Sequence, residues 1–241
     1  MSISIDTTFD QFIASGIITD VETVIKSGKE AVVYRCTAHP STGYNAIAVK
    51  VYKDIDKRSF ANMTDYLDGR IGRTIRKRRD ILHMFSDSET MQAYWVCAEY
   101  EALKTLSNYG VPVPRPFAQT GSALAMEFIG DTTIAPQLKD VKLDRDEAQS
   151  IMTGITDAIR DMLRLDMIHG DLSPYNILVY NGAPVIIDFP QVIDARFHSQ
   201  AKEMFRRDML NVGRYFERYG FGADIESRVD ETWDLYLRNK L

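Results

Sequence analysis

Short apolar runs separated by turn-forming residues mark two stretches of the chain. "VVYRCTA" and "NAIAVKVY" are rich in β-branched and aromatic residues, and the turn formers of residues 40–43 lie between them, which predicts a hairpin. "ALAMEFI" predicts a further short, buried strand. Ahead of these runs, "FDQFIASGII" predicts a short amphipathic helix that ends at Gly16.

Several helices are predicted in the later part of the chain. A helix is predicted at about 93–109, and a core helix over "DEAQSIMTGITDAIRDMLRLD", where apolar residues recur on one face. "AKEMFRRDMLNVGRYFERYG" predicts another helix, and a last one is expected near the end of the chain. Strands first and helices mostly later, joined near 127–135, indicate an α+β arrangement in two unequal lobes.

Composition and charge disfavour several classes of protein but do not indicate a particular activity. The 241 residues are 45% hydrophobic and 26% charged, with a formal net charge of -5, so overall charge does not favour nucleic acid. No apolar run approaches the roughly 20 residues of a membrane span, and the first residues lack the basic and apolar regions of a secretory signal. Cys36 and Cys97 indicate neither a disulfide framework nor a zinc site. We therefore expect a cytoplasmic protein without a membrane segment.

The stretch "MIHGDLSPYNILVYNGAPVIIDFPQ", residues 167–191, carries the strongest chemical signal. Asn181-Gly182 predicts a tight hairpin, because both residues tolerate positive φ. Asn176 begins the first strand of this hairpin and Asp188 ends the second, so their side chains should converge. An amide oxygen and a carboxylate, with room left for water and phosphate, suit Mg²⁺ better than zinc.

Asp171, on the loop before this hairpin, can face the same space as a hydrogen-bond acceptor or a base. Any one of these Asp or Asn residues alone would most often satisfy turn backbone. Together they follow the order His-x-Asp-x₄-Asn, then a hairpin, then an apolar run that ends in Asp. This order matches the catalytic-loop and metal-loop plan of kinases.

A kinase of this plan also needs a lysine on a strand of the small lobe, held by a glutamate from a helix. Lys50 ends "NAIAVK" among apolar neighbours, where an unpaired ammonium group would be costly to bury. In the 93–109 helix, helical spacing puts Glu99 on the apolar face and Glu101 on the polar face. Glu99 is therefore the predicted partner of Lys50.

With these residues in place, the chain resembles the RIO family of atypical protein kinases. The resemblance is carried by "SGKEAVVY", "AVKVY", "EYEALKTLSNYGVPVPRP", "MEFIGD", "HGDLSPYNIL" and "IIDFPQ", from about residue 10 to 216. It implies a bilobal protein-kinase-like fold with a small β-rich N-lobe and a reduced helical C-lobe. It also implies ATP with Mg²⁺ or Mn²⁺, and phosphoryl transfer to Ser or Thr of proteins, including autophosphorylation.

Carried over by position, the resemblance assigns a role to each matching residue. Asp171 would be the catalytic aspartate, Lys50 and Glu99 the small-lobe ion pair, and Asn176 and Asp188 the metal ligands. Asp208 in "RRDMLNVGRYF" would steady the catalytic loop. The phosphate loop would comprise Ser27, Gly28, Lys29 and Glu30, and the adenine hinge Met126, Glu127, Phe128 and Ile129. The alternatives are an ordinary turn for the loop and a solvated helix charge for Asp208.

Two features distinguish the chain from ordinary protein kinases. Gly170, not arginine, precedes Asp171, and no Ala-Pro-Glu segment comes after Asp188. Activation-loop phosphorylation is therefore not expected to be the switch, and the protein substrate is unknown. "HGDLSPYNIL" leans towards the RIO1-like branch and "IDFPQ" towards the RIO2-like branch, while the small size and Pro174 suggest a bacterial RIO-like member.

We expect one kinase domain over 1–241, with an N-lobe at 1–126 and a C-lobe at 127–241. Within the N-lobe, 53–92 is interpreted as a charged, flexible insertion. Its basic run at 70–79 is either an arm that contacts RNA, a ribosomal particle or an acidic protein, or a solvated surface helix.

Two other functions remain open for the same residues. One is a small-molecule kinase of the aminoglycoside type, which also uses a His-Gly-Asp, Asn, Asp plan. The other is an ATPase-type nucleotide switch that acts as a ribosome-assembly factor.

Overall fold

The computed structural model describes residues 5–53, 88–221 and 224–241. The basic run at 70–79 and most of the predicted insertion at 53–92 lie outside these residues. The interpretations given to those two segments therefore stay predictions.

The described chain divides into two compact units. The first comprises the described residues up to 53 together with 88–107 and 114–128, and the second comprises 108–113 and the described part of 129–241. The assignment of a single domain with lobes at 1–126 and 127–241 stays a prediction.

Five antiparallel strands form the sheet of the first unit. They are β1 (Ile18–Ser27), β2 (Ala31–Ala38), β3 (Ala46–Tyr52), β4 (Pro116–Gln119) and β5 (Ala123–Glu127). Their order is β1-β2-β3-β5-β4. The predicted hairpin is β2 with β3, in which Val33 lies opposite Lys50, and Leu124 of β5 lies opposite Lys50 on the other side. Every residue of β3 is buried, so Lys50 lies on the central, fully covered strand.

Helix α1 (Ile5–Ala14) packs on this sheet. Phe9 and Phe12 of the helix join Ile18, Ile47 and Val49 in one buried apolar cluster. Ala46 and Ala48, which alternate with these β3 residues, join Phe128 in a separate cluster. The strand therefore packs on both faces, as its continuous apolar run requires.

Helix α2 spans Ser88–Tyr109. It begins before the start predicted near residue 93, so that boundary was wrong. The charged and polar residues around 88–92 favoured a loop in sequence, but Met91 and Gln92 are buried. They form the first buried positions of the helix face that also carries Glu99.

Three helices dominate the described part of the second unit, in the places where helices were predicted. They are α3 (Arg145–Arg164), α4 (Ala201–Phe216) and α5 (Ile225–Leu237). A capping box begins α3: the Asp144 side chain accepts from the N–H of Glu147, and the Glu147 carboxylate accepts from the N–H of Asp144, both at 2.9 Å.

Two short antiparallel pairs complete this unit. The strands are β6 (Met167–Ile168), β7 (Ile177–Tyr180), β8 (Ala183–Ile186) and β9 (Ile193–Asp194), with β6 paired to β9 and β7 to β8. The β7–β8 hairpin turns at Asn181 and Gly182, whose φ values are 50° and 76°, as the Asn-Gly pair predicted. Gly154 of α3 gives this hairpin room, because a Cβ there would lie 3.0 Å from Pro184 Cγ.

None of the described helices combines the length and apolar character needed to cross a membrane.

Candidate active site

The predicted functional side chains form two groups, one in each unit. In the first unit, Lys50 Nζ lies 2.9 Å from Glu99 Oε1 and 3.1 Å from Oε2. Lys50 is only 6% exposed and Glu99 only 1%, whereas the Glu101 side chain is 58% exposed. The helix faces predicted for the two glutamates match the structure. Each buried charge therefore has an opposite charge in direct contact.

Tyr52 is the third member of this buried group. Its hydroxyl donates to Glu99 Oε2, and the Lys50 ammonium lies 5.0 Å from the centre of its ring. Burial, and then the neighbouring Glu99 carboxylate, raise the pKa of the Tyr52 hydroxyl well above its ordinary value. The Tyr52 hydroxyl is therefore neutral and able to donate.

The predicted phosphate loop is the tight connection between β1 and β2. The N–H of Gly28 donates to Ala31 O at 2.9 Å, so the turn itself uses this donor. Lys53 closes the loop from the end of β3: its Nζ donates to Gly28 O at 2.7 Å, and its backbone N–H donates to Glu30 O at 2.8 Å. Lys29 at the tip is exposed. A phosphate at this loop would therefore need donors other than the Gly28 N–H.

The residues predicted as the adenine hinge lie at the end of β5 and just after it. Met126 lies opposite Ala48 of β3, and Glu127 donates its N–H to Arg115 O at 2.8 Å. Phe128 is buried and is the last residue of the first unit, and the second unit resumes at Ile129, also buried.

The hairpin of the second unit brings Asn176 to the segment that holds Asp188. The N–H of Ile187 donates to Asn176 O at 2.9 Å, so the Asn176 backbone lies beside the residue before Asp188. The Asn176 amide nitrogen donates to Asp171 O at 2.9 Å, which leaves its oxygen as the atom available for a cation. Asp188 has a left-handed backbone with φ 72°, an uncommon conformation for a non-glycine residue.

Asp208 on α4 holds the backbone around Asp171. It is 2% exposed and accepts from the N–H of Gly170 at 2.8 Å and from the N–H of Leu172 at 3.0 Å. Burial raises the pKa of Asp208 to about 7, against the lowering effect of these two donors and of Arg207. The Asp171 side chain, between the two donors, is exposed.

His169 joins the Asp171 loop to the segment that leads from β8 to Asp188. Its Nδ1 accepts from the N–H of Asp171 at 3.3 Å, so its Nε2 carries the proton and donates to Ile187 O at 3.1 Å. The ring also packs on Phe189, with 4.7 Å between centres. The buried imidazole therefore has a structural part in this loop.

The oxygen donors of Asn176 and Asp188 fit a divalent cation that keeps water or phosphate oxygens. Magnesium is commonly held in this way, with one or two protein ligands and the rest from solvent and substrate. Within the described ranges, no group of three or more His, Cys, Asp or Glu residues is arranged to hold a metal. The assignment of Asn176 and Asp188 as ligands of a magnesium ion stays a prediction.

A comparison with models of known protein families shows which family the chain belongs to. A family model described as the RIO domain matches residues 32–228. This chain belongs to the RIO family. The predicted resemblance is therefore confirmed.

Curated relatives carry kinase names. The serine/threonine-protein kinase RIO1 of Caenorhabditis elegans is 33% identical over 210 residues, which cover 85% of this chain and 38% of the relative. The RIO-type serine/threonine-protein kinases Rio1 of Haloferax volcanii and Thermoplasma acidophilum are each 32% identical. They cover 84% and 76% of this chain, and 65% and 91% of the relatives. This RIO chain thus spans less than two thirds of the first two relatives.

A solved RIO structure shares the fold. The Rio2 kinase–ADP/Mg²⁺–phosphoaspartate complex from Chaetomium thermophilum matches 97% of this chain and 74% of its own, with a TM-score of 0.64 and 22% identity. The predicted α+β, protein-kinase-like fold of RIO type is confirmed.

Three residues around the RIO ion pair were not predicted from the sequence. Tyr52 and Lys53 come shortly after Lys50 and were interpreted only as strand and insertion. Gln92 was assigned to the insertion. The available signal was the i, i+2 spacing of Lys50 and Tyr52, which puts both on one face of β3.

Proposed function

We propose that this RIO-family chain transfers the γ-phosphoryl group of ATP to Ser or Thr hydroxyls of proteins, including its own. The family and the serine/threonine-kinase names of the relatives support this proposal. So does the Rio2 structure that shares the fold, which is a complex with ADP and Mg²⁺. The chain would use ATP with Mg²⁺ or Mn²⁺.

The observation that carries the proposal is the arrangement of the Asp171 loop. Asp208 accepts the N–H groups on both sides of Asp171, at 2.8 and 3.0 Å, and Asn176 donates to Asp171 O at 2.9 Å. The backbone is therefore tied at three points while the carboxylate stays exposed. Such a carboxylate is positioned to orient a hydroxyl and accept its proton.

The reaction balances without a covalent enzyme intermediate. The acceptor oxygen forms a bond to the γ-phosphorus, the bond to the bridging oxygen of ADP breaks, and the hydroxyl proton passes to Asp171. Lys50, held by Glu99, binds the phosphates as a point charge. Asn176 and Asp188 would hold the divalent cation, which neutralises phosphate charge when bound.

The direct test is incubation of the purified protein with γ-labelled ATP and Mg²⁺, alone and with cell extract. We expect label on Ser or Thr of the protein, identified by mass spectrometry, and none with the Asp171→Ala variant. Asp157→Ala is the matched control, since Asp157 is exposed on α3, and it should label like the wild type. Labelling of Asp171→Ala at the wild-type rate would contradict the proposal.

The same assay separates the two alternatives. Phosphate release without protein labelling, stimulated by ribosomal particles, would identify the nucleotide switch that acts in ribosome assembly. Transfer that occurs only when a small hydroxylated metabolite is added would identify a small-molecule kinase.

We also propose that the basic run contacts RNA phosphates, such as those of a ribosomal particle. The run supplies six cations between 70 and 79: Arg70, Arg73, Arg76, Lys77, Arg78 and Arg79. Its positive charge predicts salt-sensitive RNA binding. Equal RNA retention by the wild type and a variant lacking these cations would contradict the RNA proposal.

We further propose that the protein works in the cytoplasm. Its two cysteines form no disulfide and one of them is exposed, which fits a reducing compartment.

A further inference from the structure

Helix α2 is fastened to the end of β3 at two points that the proposed reaction does not use. The first is Gln92, whose amide nitrogen donates to Tyr52 O at 2.9 Å and to Lys53 O at 3.2 Å. Gln92 is 7% exposed, so its amide nitrogen donates to these protein carbonyl groups in a buried position. The two accepting carbonyl groups fix both the position and the rotation of the start of α2.

The second point is the contact of the Tyr52 hydroxyl with Glu99. Gln92 and Glu99 are seven residues apart, about two helical turns, so they lie on the same face of α2. Tyr52 is 5% exposed and meets both of them: its backbone carbonyl binds Gln92 and its hydroxyl binds Glu99. One residue of β3 therefore holds two successive positions of the helix.

The same strand end also holds the predicted phosphate loop. Lys53 donates from its backbone N–H to Glu30 O at 2.8 Å and from Nζ to Gly28 O at 2.7 Å. Its own carbonyl oxygen accepts from Gln92. The loop and the helix are thus connected through two consecutive residues of the chain.

We propose that Tyr52 and Gln92 are positioning residues that hold α2 at the register in which the Glu99 carboxylate reaches Lys50. This inference deepens the proposed function and rests on it for its kinetic part only. A lysine paired in this way has its phosphate-binding geometry set before nucleotide arrives. Removal of either contact frees α2 to shift, so Lys50 loses its fixed partner while the core packing of Tyr52 can be kept.

The test compares Tyr52→Phe, which removes one oxygen and keeps the ring, with Gln92→Met, which keeps the shape and removes the donor. Tyr34→Phe is the matched control, because Tyr34 lies on β2 of the same sheet and its ring packs on Phe9. The first readout needs no catalysis. It is the rate at which a small amine-reactive reagent modifies Lys50, measured by mass spectrometry relative to the exposed Lys202.

We expect Lys50 to be modified several times faster in Tyr52→Phe and Gln92→Met, and unchanged in Tyr34→Phe. In a Glu99→Gln background, Tyr52→Phe should add nothing, since it acts through Glu99. The second readout is steady-state transfer from ATP. Loss of one charge-assisted hydrogen bond should lower kcat by about tenfold in Tyr52→Phe with a smaller change in KM.

Unchanged Lys50 modification in both variants would overturn the inference. So would a lower melting temperature with wild-type kcat and Lys50 reactivity, which would assign both residues to packing alone. If Tyr52→Phe unfolds, every lysine becomes reactive and Gln92→Met decides the question. If the wild type transfers no phosphate but the reactivity pattern is as expected, the proposed function fails and the positioning of α2 stands.

Discussion

In the described part of each unit, one buried carboxylate lies beside a residue predicted to be functional, and the two carboxylates are held in different ways. Glu99 is 1% exposed and is met by an ammonium group and a hydroxyl. Asp208 is 2% exposed and is met by two backbone N–H groups. One carboxylate therefore fixes a side chain, and the other fixes a loop.

The difference fits the roles that we propose for Lys50 and Asp171. Lys50 must keep a positive charge in a buried strand, so its partner has to be an anion within direct contact. In the proposed reaction the Asp171 carboxylate has to stay free for a hydroxyl, which fits a support that acts on the backbone on either side. Loss of the first support should therefore cost stability as well as transfer, and loss of the second should cost mainly rate.

The largest expected effect is the loss of stability when the ion pair between Lys50 and Glu99 is broken. Lys50→Met leaves Glu99 buried without its cation and should lower the free energy of unfolding by about 3–5 kcal/mol, since a buried charge has lost its partner. Denaturant titration measures this loss, and phosphoryl transfer should be abolished as well.

The double variant Lys50→Met/Glu99→Leu is the control for that prediction. It removes both charges and should recover most of the stability while transfer stays absent. If Lys50→Met alone is as stable as the wild type, Glu99 is not a buried, unpaired charge in the variant and the prediction is wrong.

The next effect concerns Asp208. Asp208→Asn keeps one acceptor but turns an NH₂ group towards the other N–H, so the loop loses a charge-assisted hydrogen bond and kcat should fall by about 10- to 100-fold. The KM for ATP should change little. Asp230→Asn on α5, where the ion pair with Lys202 is exposed, is the matched control and should keep the wild-type rate.

The pH dependence of the wild type sharpens the same prediction. Burial raises the pKa of Asp208 to about 7, and protonation puts hydrogen on an oxygen that accepts an N–H. The transfer rate should therefore fall as pH drops below about 7.

The free energy of unfolding should change in the opposite direction and rise as pH drops, because the raised pKa of Asp208 favours the protonated folded state. The contribution of Asp208 is thus fully present in acid and is lost as pH rises towards 7, by at most about 1.4 kcal/mol per pH unit. Asp208→Asn should lack both slopes, and slopes equal to the wild type would contradict the assignment.

The smallest effect tests the hairpin that brings Asn176 to Asp188. Gly182 has φ 76° and open space around it, so Gly182→Ala should cost about 1 kcal/mol from its left-handed backbone alone. Gly43, with φ 77° and equally open surroundings, is the matched control in the other unit. Both variants should lose similar stability, but only Gly182→Ala should raise the Mg²⁺ concentration that transfer requires. An equal metal requirement in both would contradict the role of the hairpin.

Local patterns predicted much of the fold and of each functional group. Asn181-Gly182 has a backbone preference of its own, so it predicted the hairpin and the convergence of its ends without any other part of the chain. Helical spacing distinguished Glu99 from Glu101, because helix geometry alone decides which residues share a face.

The features that could not be predicted depend on contacts distant in sequence. The start of α2 lies in a polar stretch in which Glu89 and Thr90 are exposed. Gln92 is buried and contacts Tyr52, which is 40 residues away in sequence. The contact between Tyr52 and Glu99 also joins distant residues, and a strand tyrosine among apolar neighbours is ordinarily interpreted as core. Asp208 was assigned only through the family resemblance, since an aspartate in a helix gives no local sign that two N–H groups will meet it.

The role of Asp171 as a positioned base for phosphoryl transfer is tested most directly by one paired measurement on the wild type and Asp171→Asn. Single-turnover transfer from γ-labelled ATP is measured beside the equilibrium affinity for nucleotide with Mg²⁺. We predict nearly equal affinity and a rate at least about 100-fold lower in the variant, the range of general-base catalysis. Equal rates in the two proteins would contradict this role.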